Sequence, residues 1–147
     1  MPHTHTSLKY HVIFSTQGRQ RWIRESIERQ LWAYMAGTAR RKGFTIIKAG
    51  GVEDHVHLLV ELPPDLDLSK AVQMIKANSS HWMKQHEKTF VWQRGFAAFS
   101  VSESLKMRTI TYIANQRKHH KRKSFEEELK ELLRLSGVAF KDEEILD

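Results

Sequence analysis

Phe44-Thr-Ile-Ile-Lys-Ala-Gly-Gly-Val-Glu-Asp-His-Val-His-Leu-Leu-Val-Glu-Leu62 holds two apolar runs around a Gly50-Gly51 pair. They read as antiparallel strands over residues 44–49 and 52–62, with a tight turn at the glycines. Pro63-Pro64-Asp65 ends the second strand, because proline cannot donate to a ladder. Upstream, Leu8-Lys-Tyr-His-Val-Ile-Phe-Ser15 has the same β-branched and aromatic character. Between them Ile27, Leu31, Met35 and Ala39 recur at helical spacing, with Tyr34 on the flank, up to a stop near Gly43. Downstream, Leu68, Val72, Ile75 and Met83 mark a helix of about 20 residues. Trp92-Gln-Arg-Gly95 reads as a loop and residues 97–101 as a fourth strand. The order β-α-β-β-α-β is that of the ferredoxin-like split βαβ fold, an α+β architecture. The first and third strands are then central.

Beyond the sheet, residues 103–121 read as one long helix with Ser102 as its N-cap. Ser124-Phe-Glu-Glu127 is a capping box for a last helix that stops before Gly137. The expected organisation is a single domain over 1–147. Its sheet core covers about 1–101, followed by a tyrosine-bearing helix and a C-terminal helix over about 102–147.

The chain has no cysteine, which excludes disulfides and thiolate metal sites. A bound metal would need His, carboxylate or amide ligands. The N-terminal residues lack an apolar targeting core, and no run could span a membrane, so a cytoplasmic protein is expected. The net charge is +7, unevenly spread. Residues 1–123 carry net +12 and residues 124–147 carry net −5. A basic body suits a polyanionic partner.

His55 and His57 are two apart on a strand, so they point to the same face. Two imidazoles side by side are half of a divalent-metal site. Tyr112 and Gln116 are one helical turn apart and share a stripe with His119. The Gln116 carboxamide could complete the ligand set for Mg²⁺ or Mn²⁺. Tyr112 could then attack a phosphodiester as nucleophile, a role for which Tyr10 and Tyr34 are poorly placed. Asp54 could orient a histidine from behind. The tract Arg117-Lys118-His119-His120-Lys121-Arg122-Lys123 could grip DNA phosphates. Lys76 and Asn78 are further candidates for phosphate contact, and Trp92 is a candidate for stacking on a base.

These motifs, in this order, resemble the single-tyrosine HUH transposases of insertion sequences, the IS-two-hundred-like group, with the REP-associated tyrosine transposases as close kin. The resemblance rests on Tyr10-His-Val-Ile-Phe-Ser-Thr16, on residues 51–60, and on Ile75-Lys-Ala-Asn-Ser-Ser80. It continues through Trp92-Gln-Arg-Gly-Phe-Ala-Ala-Phe-Ser-Val101 and Tyr112-Ile-Ala-Asn-Gln-Arg-Lys-His-His120. Ala77 and Phe96 depart from the usual glycine and tyrosine. The resemblance implies that His55, His57 and Gln116 are metal ligands and that Tyr112 takes the 5′ phosphate. It implies single-stranded DNA with a hairpin as substrate. It also implies a homodimer whose active sites are shared between subunits. A domesticated REP-associated nuclease would share all of this. Two rivals come from other classes. A metal-dependent hydrolase would use the histidine pair with water. An RRM-like binding module is suggested by Arg94-Gly-Phe-Ala97, although Ala98 stands where that motif needs an aromatic.

Overall fold

The computed structural model describes residues 3–146. Met1, Pro2 and Asp147, the outermost residues of the expected single domain, lie outside the described residues. The sheet strands are β1 (Lys9–Ser15), β2 (Thr45–Val52), β3 (His55–Glu61) and β4 (Ala97–Val101). They pair antiparallel in the order β2-β3-β1-β4, so β1 and β3 are central. Helix α1 (Glu25–Arg41) follows β1 and α2 (Leu68–Met83) follows β3, completing the expected β-α-β-β-α-β order.

Strand periodicity sorts β1 and β3 into two layers. Val12 and Phe14 of β1 and Val56, Leu58 and Val60 of β3 face α1 and α2. There they are buried against Ile27, Leu31, Met35, Val72 and Ile75. The Asp67 carboxylate caps α2 by accepting the Lys70 N–H at 2.7 Å. The other face of the same strands presents His11, Ile13, His55, His57 and Leu59. Short helices cover that face: α3 (Lys106–Ala114), α4 (Gln116–His119) and α5 (Phe125–Leu135). A last helix, α6, runs over Asp142–Leu146. An RRM-like reading needs this sheet face open for bases; here it is closed by helices.

Two expectations need correction. The β2–β3 turn falls at Glu53-Asp54, not at the glycines, which lie inside β2. Gly50 is there because α3 crosses it. A Cβ at Gly50 would stand 2.4 Å from the Ile113 carbonyl oxygen. The glycine is a close-approach residue, the second of glycine's two uses in a strand. The long helix after β4 is also broken. One 3-10 turn over Glu103–Leu105 precedes α3, and the Ser102 hydroxyl meets Ser104 instead of capping a backbone N–H. Asn115 (φ −100°, ψ 20°) separates α3 from α4. Ser124 caps α5 as expected, its Oγ accepting the Glu127 N–H at 3.2 Å, while the Glu127 carboxylate accepts from the Ser124 hydroxyl at 3.3 Å in place of the reciprocal backbone bond of a full capping box.

Candidate metal centre and tyrosine

His55 and His57 project from β3 with no exposed surface, their ring centroids 5.2 Å apart. Each has its outer nitrogen occupied. His55 Nδ1 lies 2.7 Å from Asp54 Oδ1. His57 Nδ1 lies 2.8 Å from Nε2 of His11, on the neighbouring strand. The inner Nε2 atoms therefore point to one place. Glu128 Oε1 occupies it, 3.4 Å from His55 Nε2 and 3.0 Å from His57 Nε2. His120 Nε2 reaches the same oxygen at 2.9 Å. One donor atom each from His55, His57, His120 and Glu128 falls within 4.8 Å of the others.

Gln116 lies at the edge of this cluster. Its Oε1 is 3.3 Å from His55 Nε2, and its amide donates to Glu128 Oε2 at 3.1 Å. The Tyr112 hydroxyl donates to Glu128 Oε2 and stands 3.4 Å from His119 Nε2. The tyrosine and the histidines belong to the same chain, so one chain composes the whole constellation.

Charge states follow from what each group faces. Burial drives His57 down to about 4, outweighing its contact with Glu128. Burial likewise holds His11 near 3. His55 is buried just as deeply, yet carboxylates on both sides, Asp54 and Glu128, raise it overall. Burial would push the Glu128 carboxyl up, but hydrogen bonds from His120, His55 and His57 hold it far below the usual carboxylate range. Burial and the adjacent Glu128 charge raise Tyr112 strongly, so the phenol rests protonated.

The donor set fits a divalent ion. Imidazole nitrogens with outer partners and a buried carboxylate are how proteins orient ligands around a metal. Mixed nitrogen and oxygen donors suit Mn²⁺ and its neighbours better than Mg²⁺, which prefers oxygen.

Other sequence candidates lie elsewhere. Trp92 is core: it packs on Phe14 and Phe90 and donates to Ser79 Oγ at 2.9 Å, so its faces are not open to a base. Lys76 turns inward to the Gln93 and Gly95 carbonyl oxygens, and burial lowers it to about 8. Asn78 donates to the Met74 carbonyl, one turn back in its own helix. Arg117 is a strut, bonded to Glu28 at 2.8 Å and Glu53 at 2.6 Å. Lys123 pairs with Glu131. His119 and His120 belong to the tyrosine and metal cluster. Lys118, Lys121 and Arg122 are exposed and carry no ion pair among the described residues. Sequence reasoning missed His11 and Glu128 altogether. Glu128 had one signal: it is an acid on a stripe with the apolar Phe125, Leu132 and Leu133.

A sequence model of the family "Transposase IS200 like" matches residues 4–116. The chain belongs to the IS200-like transposase family. The matched region contains His11, Asp54, His55, His57, Tyr112 and Gln116; His120 and Glu128 lie beyond it. Transposases of insertion sequence IS200 from Salmonella typhimurium LT2 and Salmonella typhi are each 28% identical over 80 residues. That stretch covers 54% of this chain and 53% of each relative, so the chain spans about half the length of these relatives. Two solved structures share the fold. A transposase-like protein of Deinococcus radiodurans R1 superposes with a TM-score of 0.64 at 22% identity, over 79% of this chain and 95% of that one. A REP-associated tyrosine transposase bound to a REP hairpin gives 0.61 at 18% identity, over 82% and 74%. No helix among the described residues is long and apolar enough to cross a membrane.

Proposed function

We propose that this IS200-like transposase cuts and rejoins single-stranded DNA through a covalent bond between Tyr112 and a 5′ phosphate, as one catalytic domain acting in the cytoplasm. The observation that carries this reading is the convergence of the Tyr112 hydroxyl with three imidazoles and a carboxylate.

His55, His57, His120 and Glu128 would hold the divalent ion, with Gln116 at its margin. The ion, Mn²⁺ or Mg²⁺, would supply polarisation of the phosphate's non-bridging oxygens. The protein groups do the rest. Asp54 and His11 fix the ring orientations of His55 and His57. The phenolic proton is released to solvent as the Tyr112 oxygen attacks phosphorus, because the imidazole hydrogen bonds leave Glu128 too weak a base to keep it. The P–O3′ bond breaks, and the departing 3′ oxygen takes a proton from solvent. The resulting ester conserves the energy of the broken linkage, so a 3′ hydroxyl can reverse the step and rejoin DNA. The ionised Glu128 disfavours a free phenolate, so deprotonation and attack must coincide. Lys118, Lys121 and Arg122, exposed beside the site, would meet backbone phosphates.

The substrate proposed is a strand carrying a hairpin, the kind of DNA bound in the REP-associated relative. Shared sites in a homodimer would rebuild the same constellation, but the geometry favours each chain completing its own. Mixing His57→Ala with Tyr112→Phe tests this: restored cleavage means sharing, and continued inactivity means self-contained sites.

The direct test uses labelled single-stranded hairpin DNA with Mn²⁺ on a denaturing gel. A slow-migrating covalent adduct should form and be lost in Tyr112→Phe. Cut DNA with no adduct would instead indicate a metal-dependent hydrolase.

A further inference from the structure

Beside the metal cluster, the histidine face of the sheet carries a cavity of about 410 Å³ that the strand-transfer step does not use. It lies between β1, β4 and α5, walled by Ile13, Ser15, Ala97, Phe99, Phe125 and Leu133. We infer that this cavity receives one unpaired nucleobase of the DNA strand whose phosphate is held at Tyr112. The inference rests on the reading above and names the part of the substrate that reading leaves unplaced.

Position carries the argument. Ile13 and Ser15 are the direct cross-strand partners of His57 and His55. The cavity therefore begins one inter-strand spacing, about 4.8 Å, from the metal ligands. Two of its walls touch the site itself. The Phe125 ring is 4.5 Å from the His55 ring, and the Phe99 ring is 6.3 Å from that of His11. A nucleotide with its phosphate at the cluster would have its base directed along the sheet into this space.

The chemistry of the walls selects the same occupant. Apart from Ser15 they are aromatic and aliphatic, which accept the flat face of a base and reject a phosphate. Cations stand at the rim, where a backbone would pass. Arg94 is exposed and without an ion pair among the described residues. Arg19 lies 5.3 Å over the Phe125 ring while pairing with Glu126. Glu144 is the acid on the lining. The size falls within the ordinary range of small-ligand pockets. Enzymes acting on nucleic acid commonly hold an unstacked base in such a recess.

The test compares two strands of equal length and charge, oligothymidylate and a fully abasic deoxyribose-phosphate strand. Affinity for the full chain is read by fluorescence anisotropy in EDTA, so no cleavage occurs. Wild type should prefer oligothymidylate by about tenfold or more, as base stacking on aromatics predicts. Ala97→Leu fills the cavity from β4, and Ala139→Leu fills it from the exposed C-terminal segment. Both should bring the two affinities within about twofold and leave abasic binding unchanged. A wild type without the preference, or variants that keep it, would overturn the assignment. An adduct that forms at Tyr112 while the preference survives both substitutions would reject the cavity alone and leave the strand-transfer reading intact.

Discussion

His11, His55 and His57 sit on the two central strands, whereas Tyr112, Gln116 and Glu128 sit on three short helices laid across them, with His120 directly after the second. The first group is held from both sides. Backbone ladders fix β1 and β3, and each of the two β3 imidazoles has a partner behind it. The second group depends on side-chain contacts: Ile113 over Gly50, Arg117 bridging to Glu28 and Glu53, and Phe125 against His55. The difference is one of stiffness. A central strand moves only with the whole sheet, while a helix of nine or four residues can shift as a body. On the proposed reading, the sheet would supply a fixed set of metal ligands, and the helices would carry the nucleophile and the groups that exchange partners during strand transfer.

The largest expected effect breaks the fixed half. His57→Ala truncates a fully buried ring and leaves His11 without its hydrogen-bond partner, and should cost about 3–5 kcal/mol in urea unfolding, the scale for removing a large buried ring. Mn²⁺ binding by calorimetry should disappear with it.

Acid should damage the same half next. In the folded, metal-free protein His11 and His57 stay neutral down to about 3 and 4. In the unfolded chain they take protons below about 6.5. The unfolded state therefore binds more protons in that window, and stability falls as pH drops from about 6.5 towards 4. The loss should reach several kcal/mol. His55 is raised and works the other way, contributing stability that is present at low pH and lost as pH rises from about 6.5 through its raised folded value. His11→Gln should flatten the acid limb in thermal scans; an unchanged limb would contradict the neutral His11–His57 pair.

The mobile half should respond at a smaller scale. Gly50→Ala drives a methyl into the Ile113 carbonyl and should cost about 1–3 kcal/mol by overpacking. Because α3 must lift, the rate of adduct formation should fall more than stability alone accounts for. The smallest effects separate strut from DNA contact. Arg117→Ala should cost about 1 kcal/mol of stability and leave the salt dependence of DNA binding unchanged. Lys118→Ala should leave stability unchanged and lower the salt slope by about one.

Legibility in the sequence follows the same division. Strand alternation and helical spacing report local geometry, so the element order, the central strands and the shared face of His55 and His57 could all be read. Gly50-Gly51 misled because glycine marks both turns and close approach, and only the packed α3 decides between them. The break at Asn115 left no glycine or proline behind. His11 shares a face with Ile13, the partner of His57, but the pairing register is needed to see it. Glu128 reads as one of three acids in the first turn of α5, a common helix-start pattern. Its role depends on where α5 docks, which no local pattern encodes. Trp92 illustrates the converse: a loop position gives no warning that the ring is clamped between Phe14 and Phe90.

The central claim is that Tyr112 becomes esterified to DNA. Peptide mass spectrometry of the nuclease-trimmed adduct formed with Mn²⁺ and hairpin DNA tests it most directly. The account predicts a nucleotide attached to the Tyr112 peptide and to no other. Attachment at Tyr10 or Tyr34, or cleaved DNA with every tyrosine unmodified, would contradict it.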